Sequence, residues 1–294
     1  MWKQVQVQVS SEEAESLASF LENQGALSVT FSDAMDVPIF KEAVEGAPLW
    51  PLVTVTALFS KDFVENTLHI YSPKRFRAVW DTITVSVLED QDWVRLTQQH
   101  FPPIAVTETL WVLSSWEDTA AFAGTQVRID PGLAFGTGTH PTTRLCLQWI
   151  AQHVPAGAQV IDYGCGSGIL ALTALACGAT HVTAVDHDPQ ALEATQHNAT
   201  LNAFVTPDSL TVGFSTGLSI PPTQYVLANI LSGVLIQLAS TLTALTVPGG
   251  YLILSGLLAT ELTSVYAHYA ASFAVVEEQV WEEWALLVLK RRLF

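Results

Sequence analysis

Val160-Ile-Asp162-Tyr-Gly164-Cys-Gly166-Ser-Gly168 is the stretch on which the reading of this chain turns. An apolar run delivers one acid, Asp162. Glycines then occupy alternate positions, and an apolar helical pattern takes over from Ile169 to Cys177. The pattern predicts a strand, a tight turn and a helix. Alternate glycines suit a turn on which a ligand lies directly, because a Cβ would fill the ligand's space or forbid the backbone conformation. The helix that follows aims its unpaired N-terminal amides at the same spot. A dinucleotide fingerprint would read G-x-G-x-x-G, with a pyrophosphate on the helix N-terminus. Here the spacing is G-x-G-x-G, with the acid two places ahead of the first glycine.

A second motif lies downstream. Val182-Thr-Ala-Val-Asp186 is a short apolar strand ending in a carboxylate, about 20 residues beyond the turn, where a ribose-binding acid is expected. Such an acid accepts the ribose hydroxyls of NAD and of S-adenosylmethionine alike. The glycine spacing separates the two, since G-x-G-x-G behind an acid is the form typical of S-adenosylmethionine-dependent methyltransferases. That cofactor has no phosphate. Its methionine end carries an ammonium and a carboxylate, for which Asp162 and the amides of the turn offer partners. Tyr225-Val-Leu-Ala-Asn229 is a third apolar strand, ending in an amide. Ligands sit beyond the carboxyl ends of parallel strands, so Asn229 is expected at the crevice shared by Gly164 and Asp186.

The 294 residues can hold a large core and two domains. Nearly half are apolar and few are charged, which speaks against widespread disorder. Apolar tracts such as Tyr251 to Leu258 are too short to cross a bilayer, and no apolar signal core follows the first residues. A cytoplasmic protein without membrane contact is expected. Cys146, Cys165 and Cys177 match no zinc spacing and read as reduced packing residues. Net charge is −16, and no lysine or arginine occurs between Arg144 and Lys290. Such a surface lacks the cations that displace counterions from a phosphate backbone, so direct nucleic-acid binding is not expected. It suits a basic partner.

In chain order, residues 1–90 read as a small α+β domain. Trp2 to Val9 alternates as a half-buried strand. A helix follows and stops at Gly25, then come strands at Ala26 to Phe31 and Leu52 to Phe59. A helical stretch at Pro73 to Thr82 and a strand at Ile83 to Leu88 complete the order β-α-β-β-α-β of a ferredoxin-like sandwich. Residues 91–118 form an interdomain connector with Trp93, Phe101, Trp111 and Trp116. Residues 119–294 form the catalytic domain, a Rossmann-like α/β sheet with helices on both faces and an antiparallel edge made by Phe273 to Gln279 and Trp284 to Leu289. Its first part is the loop Asp130-Pro-Gly-Leu-Ala-Phe135-Gly-Thr-Gly-Thr139-His140-Pro141-Thr-Thr143. A helix is expected to start near Pro141 with Thr139 as its cap. The lysine of a phosphate-cradling loop is missing. Phe135 is expected to wall a bound cofactor, with threonine hydroxyls as ligands.

Taken together, Asp130 to Thr143, Asp162-Tyr-Gly-Cys-Gly-Ser-Gly-Ile-Leu-Ala171, Asp186-His-Asp-Pro-Gln-Ala191 and Ala228-Asn-Ile-Leu231 closely resemble the bacterial ribosomal protein L-eleven methyltransferase family over essentially the full length. The resemblance implies a class I methyltransferase domain. It also implies an N-terminal domain that recognises the ribosomal protein. The reaction it implies is methyl transfer from S-adenosylmethionine to lysine side-chain and N-terminal amines. Carried over by position, the cofactor contacts are Thr143, Gly164, Asp186 and Asn229, to which the motif itself adds Asp162 and Gly166. Asn229 is the candidate catalytic residue, orienting the amine or the methionine end. Methyltransferases of glutamine amides or adenine carry Pro-Pro and an aromatic after this position, whereas Ile230, Leu231 and Ser232 follow here. The alternatives that remain are another basic protein or a glutamine amide as substrate, or a non-catalytic cofactor-binding protein of the ribosome.

Overall fold

The computed structural model describes residues 2–35, 50–77, 79–88, 101–131 and 138–293. The chain divides into two compact units, Met1–Leu96 and Thr97–Phe294. In the first, strand β1 (Trp2–Ser10) buries Val5, Val7 and Val9 and turns Gln4, Gln6 and Gln8 to the other side. The helix Ser11–Asn23 packs Ala14, Leu17, Phe20 and Leu21 inward and gives way to Gly25, whose φ of 94° ends it. Strands β2 (Ser28–Asp33), β3 (Leu52–Ser60) and β4 (Thr84–Leu88) complete a sheet in the order β2-β3-β1-β4. Every neighbouring pair is antiparallel. This is the split arrangement of a ferredoxin-like sandwich. One expectation needs correction. The second helix lies earlier, at Asn66–Tyr71, and the stretch from Pro73 to Thr82 holds two short 3-10 turns instead, Lys74–Phe76 and Val79–Thr82. Pro73 disfavours helical backbone at Ser72, which takes ψ 135° and closes the helix before it.

Residues 89–100, read from sequence as connector together with Trp93, lie outside the described residues. The remainder of that stretch holds two short strands. Strands β5 (Ile104–Ala105) and β6 (Leu110–Leu113) join β7 (Thr125–Arg128) in a three-stranded sheet, and Trp111 packs against Phe122 at 5.0 Å between ring centroids. Strands this short, interrupted by turns, carry too little periodicity to be seen in sequence.

The large sheet follows. Its strands are β8 (Gln159–Tyr163), β9 (His181–Asp186), β10 (Leu210–Phe214), β11 (Thr223–Asn229), β12 (Thr246–Leu258), β13 (Phe273–Trp281) and β14 (Trp284–Arg291), in the order β10-β9-β8-β11-β12-β14-β13. β8 to β12 run parallel, and β14 is antiparallel to both its neighbours. Pro248, Gly249 and Gly250 lie within β12 as a bulge, since pairing jumps from Thr223↔Thr246 to Tyr225↔Tyr251. Alternate residues feed two cores. Val160, Val182, Leu227 and Ile253 pack with the helices Pro141–His153 and Ile169–Ala176 on one face. Ile161, Val226, Leu252 and Leu254 pack with Leu235, Leu242 and Val265 on the other. Apolar side chains on both faces make these strands continuous hydrophobic runs, as parallel sheets require.

Strand order reverses between β8 and β11, and the carboxyl ends of these strands therefore open onto a crevice. Gly256 supports its β12 side. A Cβ there would stand 2.4 Å from the Ile230 carbonyl oxygen, at φ 82°. Gly256→Ala therefore destabilises the protein by roughly 2–4 kcal/mol, read as a lowered midpoint in urea unfolding. An unchanged midpoint would show that Ile230 is not held where it stands.

Candidate functional site

The register of the sheet lines up the residues singled out from sequence. Asp162 pairs with Ala184 on β9 and with Leu227 on β11. Two residues further along each chain stand Gly164, Asp186 and Asn229, so all three emerge at one level beside the switch point. Gly164, Gly166 and Gly168 take φ of 82°, 53° and 80°, the left-handed region that side chains with a Cβ avoid. Space enforces the same choice. A Cβ on Gly164 would lie 2.3 Å from Cγ2 of Ile230, and one on Gly168 would lie 2.8 Å from Cγ2 of Thr195.

Asp186 holds this turn. Its Oδ2 accepts the Gly166 N–H at 3.0 Å, and its Oδ1 accepts the N–H groups of His187 at 2.7 Å and Asp188 at 3.1 Å. A carboxylate offers about four lone-pair sites, which leaves acceptor capacity for a ligand hydroxyl. The sequence marks Asp186 as a ligand residue only; the structure adds that it clamps the loop.

Asp162 is fully buried. Its Oδ2 accepts the Ala171 N–H at 3.0 Å, capping the first turn of the glycine-turn helix, and its Oδ1 has no partner. Burial raises its carboxyl pKa to about 7 against the pull of the Ala171 hydrogen bond, and the nearby Asp186 charge adds to the rise. A buried, unpartnered carboxylate oxygen is costly unless a donor reaches it. A cationic donor placed there would meet that oxygen and favour the ionised form.

Asn229 and Thr143 meet across the crevice. The Asn229 Nδ2 donates to the Thr143 Oγ1 at 3.3 Å, which joins two of the residues selected from sequence. Thr143 sits in the first turn of the helix Pro141–His153. The cap of that helix is His140 rather than Thr139, its Nδ1 accepting the Thr142 N–H at 3.3 Å. His140 also packs edge-on against Trp284 at 4.6 Å. Partial burial lowers its pKa, although Glu283 and Glu282 oppose the shift. This histidine caps the helix that carries Thr143. The expected wall Phe135 and the hydroxyl of Thr137 lie outside the described residues. Cys146 and Cys165 are buried and Cys177 half-buried, all unbridged; burial raises the pKa of each thiol. No group of metal ligands occurs among the described residues.

Thr195, Asn198 and Asn202 are the residues that sequence reading missed. All three are buried. Thr195 Oγ1 donates to the Gly166 carbonyl at 2.9 Å and Asn198 Nδ2 to the Ser167 carbonyl at 2.9 Å. Asn202 pairs with both backbone groups of Arg128. The signal was present in the sequence, because Thr195, Asn198 and Asn202 continue the inward stripe of Ala191 and Leu192 at helical spacing. Polar residues on an apolar stripe are there to satisfy backbone.

Comparison with known proteins identifies the family. The family described as ribosomal protein L11 methyltransferase (PrmA) matches residues 1–292. Ribosomal protein L11 methyltransferases of Nitrosococcus oceani and Hahella chejuensis are each 41% identical to the chain. The first alignment covers 99% of both chains, the second 99% of this chain and 98% of the relative. A crystal structure described as a ribosomal protein L11 methylase from Lactobacillus delbrueckii subsp. bulgaricus superposes with a TM-score of 0.58 at 29% identity. That match covers 65% of this chain and 98% of the other.

The buried acid has a pH signature. The Asp162 pKa rises from 3.8 to about 7 on folding, so the folded state favours the protonated carboxyl. That stability is present in full below the unfolded value and is lost as pH rises through the folded one. Asp162→Asn, which cannot ionise, therefore gains stability relative to the parent between pH 4 and pH 7, and the gap stays constant above. Urea unfolding across that range reads the effect, and a gap independent of pH would refute it.

Proposed function

We propose that this chain, which belongs to the ribosomal protein L11 methyltransferase family, transfers methyl groups from S-adenosylmethionine to lysine side-chain and N-terminal amines of ribosomal protein L11. The observation that carries the cofactor reading is the row of Gly164, Asp186 and Asn229 at the switch point, with the unpartnered Oδ1 of Asp162 buried behind it. In this reading Gly164 and Gly166 lie under the methionine end. Asp162 takes the ammonium, and Asp186 takes the ribose with its remaining acceptor capacity. Thr143 and Asn229 close the other side.

Bound S-adenosylmethionine supplies an electrophilic methyl on a sulfonium. The chain's own residues do the positioning, which is where most of the rate of an in-line displacement arises. The incoming amine must be neutral to attack. A free lysine has a pKa of about 10.4, and desolvation on entry lowers it without a dedicated base. Asn229 donates through Nδ2 to Thr143, so its Oδ1 is the end left to accept a hydrogen from the amine and hold the nitrogen lone pair in line. The acidic surface, with net charge −16 and no lysine or arginine between Arg144 and Lys290, favours approach of a basic protein.

The test is mass spectrometry of purified ribosomal protein L11 after incubation with the enzyme and S-adenosylmethionine. Mass gains in methyl steps on lysines and the N-terminal amine are expected. No gain despite cofactor binding would move the substrate to another basic protein. Asn229→Ala lowers methyl incorporation on the order of 10²-fold, and a variant with full turnover would remove Asn229 from the reaction.

A further inference from the structure

The glycine turn carries carbonyl groups as well as amides, and the side it shows to a ligand depends on where those carbonyls go. Two of them go to one helix. Thr195 Oγ1 donates to the Gly166 carbonyl and Asn198 Nδ2 to the Ser167 carbonyl, each at 2.9 Å. Both side chains are completely buried. Asn198 spends its other end on the Asp130 N–H, accepted by Oδ1 at 2.9 Å, and its backbone carbonyl accepts from the Asn202 Nδ2 at 2.7 Å. Its carboxamide is therefore fixed in one orientation, with the donor end toward the turn. The Thr195 methyl also closes the space beneath Gly168.

We propose that Thr195 and Asn198 are positioning residues that set the polarity of the cofactor turn, drawing its carbonyls toward the helix so that the turn can receive a carboxylate. The inference rests on the reading of this crevice as the S-adenosylmethionine site. A carbonyl oxygen left facing the ligand would repel the methionine carboxylate, while the first amides of the helix Ile169–Ala176 attract it. In that reading Asp186, on β9, takes the nucleoside half, and neither Thr195 nor Asn198 bonds to it directly. Thr195 and Asn198 thus act on the amino-acid end alone, and they decide whether a ligand that carries this end is preferred over one that lacks it.

Calorimetric binding of two probes separates this role from general support of the fold. S-adenosylhomocysteine carries the amino-acid end and 5′-methylthioadenosine does not. Thr195→Val keeps the shape beneath Gly168 and removes the donor; Asn198→Asp keeps the acceptor for Asp130 and removes the donor to Ser167. Each variant is expected to weaken S-adenosylhomocysteine about tenfold while 5′-methylthioadenosine stays within about twofold, the scale of one lost hydrogen bond. Thr195→Ser, which retains the hydroxyl, is expected to restore the parental ratio. Equal losses for the two probes, or a normal ratio in Thr195→Val, would overturn the proposal. Should Asn198→Asp fail to fold, the Thr195 pair decides alone. A parent protein that binds neither probe would sink the cofactor reading itself, a result distinct from equal losses in the variants.

Discussion

A backbone that must turn through left-handed conformations between β8 and its helix is the constraint on which the rest of the site depends. Gly164, Gly166 and Gly168 can take those conformations at little cost, and Ile230 and Thr195 fill the places where side chains would stand. Its three glycines bring no side chains to the turn, and neighbouring elements supply hydrogen bonds to its backbone. β9 provides Asp186 for the Gly166 amide, and the helix Pro189–Thr200 provides Thr195 and Asn198 for the carbonyls. The turn is thus held by elements that come later in the chain.

The same assembly accepts a local penalty at Asp162. A carboxyl group placed among apolar residues, with one oxygen unpartnered, opposes folding at neutral pH. The penalty is partly offset by the Ala171 amide, and the surrounding apolar packing on both faces of the sheet supplies the stability that tolerates it. Proteins break local rules of this kind at functional sites. Here the broken rule coincides with the level at which three strands present their carboxyl ends.

Little covalent chemistry falls to the side chains. His140 caps a helix and packs edge-on against Trp284. The thiols of Cys146 and Cys165 are buried, with pKa values raised away from reactivity. What remains is a rigid rim, Thr143 bonded to Asn229, on a protein whose charge favours basic partners. This division fits a reaction in which the reactive group arrives with the cofactor and the protein orients the amine.

The sequence by itself determined the elements and their chemistry. Alternating valines marked β1, the G-x-G-x-G behind Asp162 marked the turn, and apolar runs ending in Asp186 and Asn229 marked two further strand ends, because periodicity and glycine placement are local properties. Local signals failed where structure is short or cooperative. Strands β5 and β6 looked like connector and β7 was not seen as a strand, and the second helix of the first unit was placed beyond Pro73 instead of before it. Thr139 lost the cap to His140. Only the tertiary structure decided that Gly164, Asp186 and Asn229 share one level, that Asn229 answers to Thr143, and that Thr195 and Asn198 hold the turn. These depend on strand order and register, which are set by packing between segments far apart in the chain, and no spacing within a single segment encodes them.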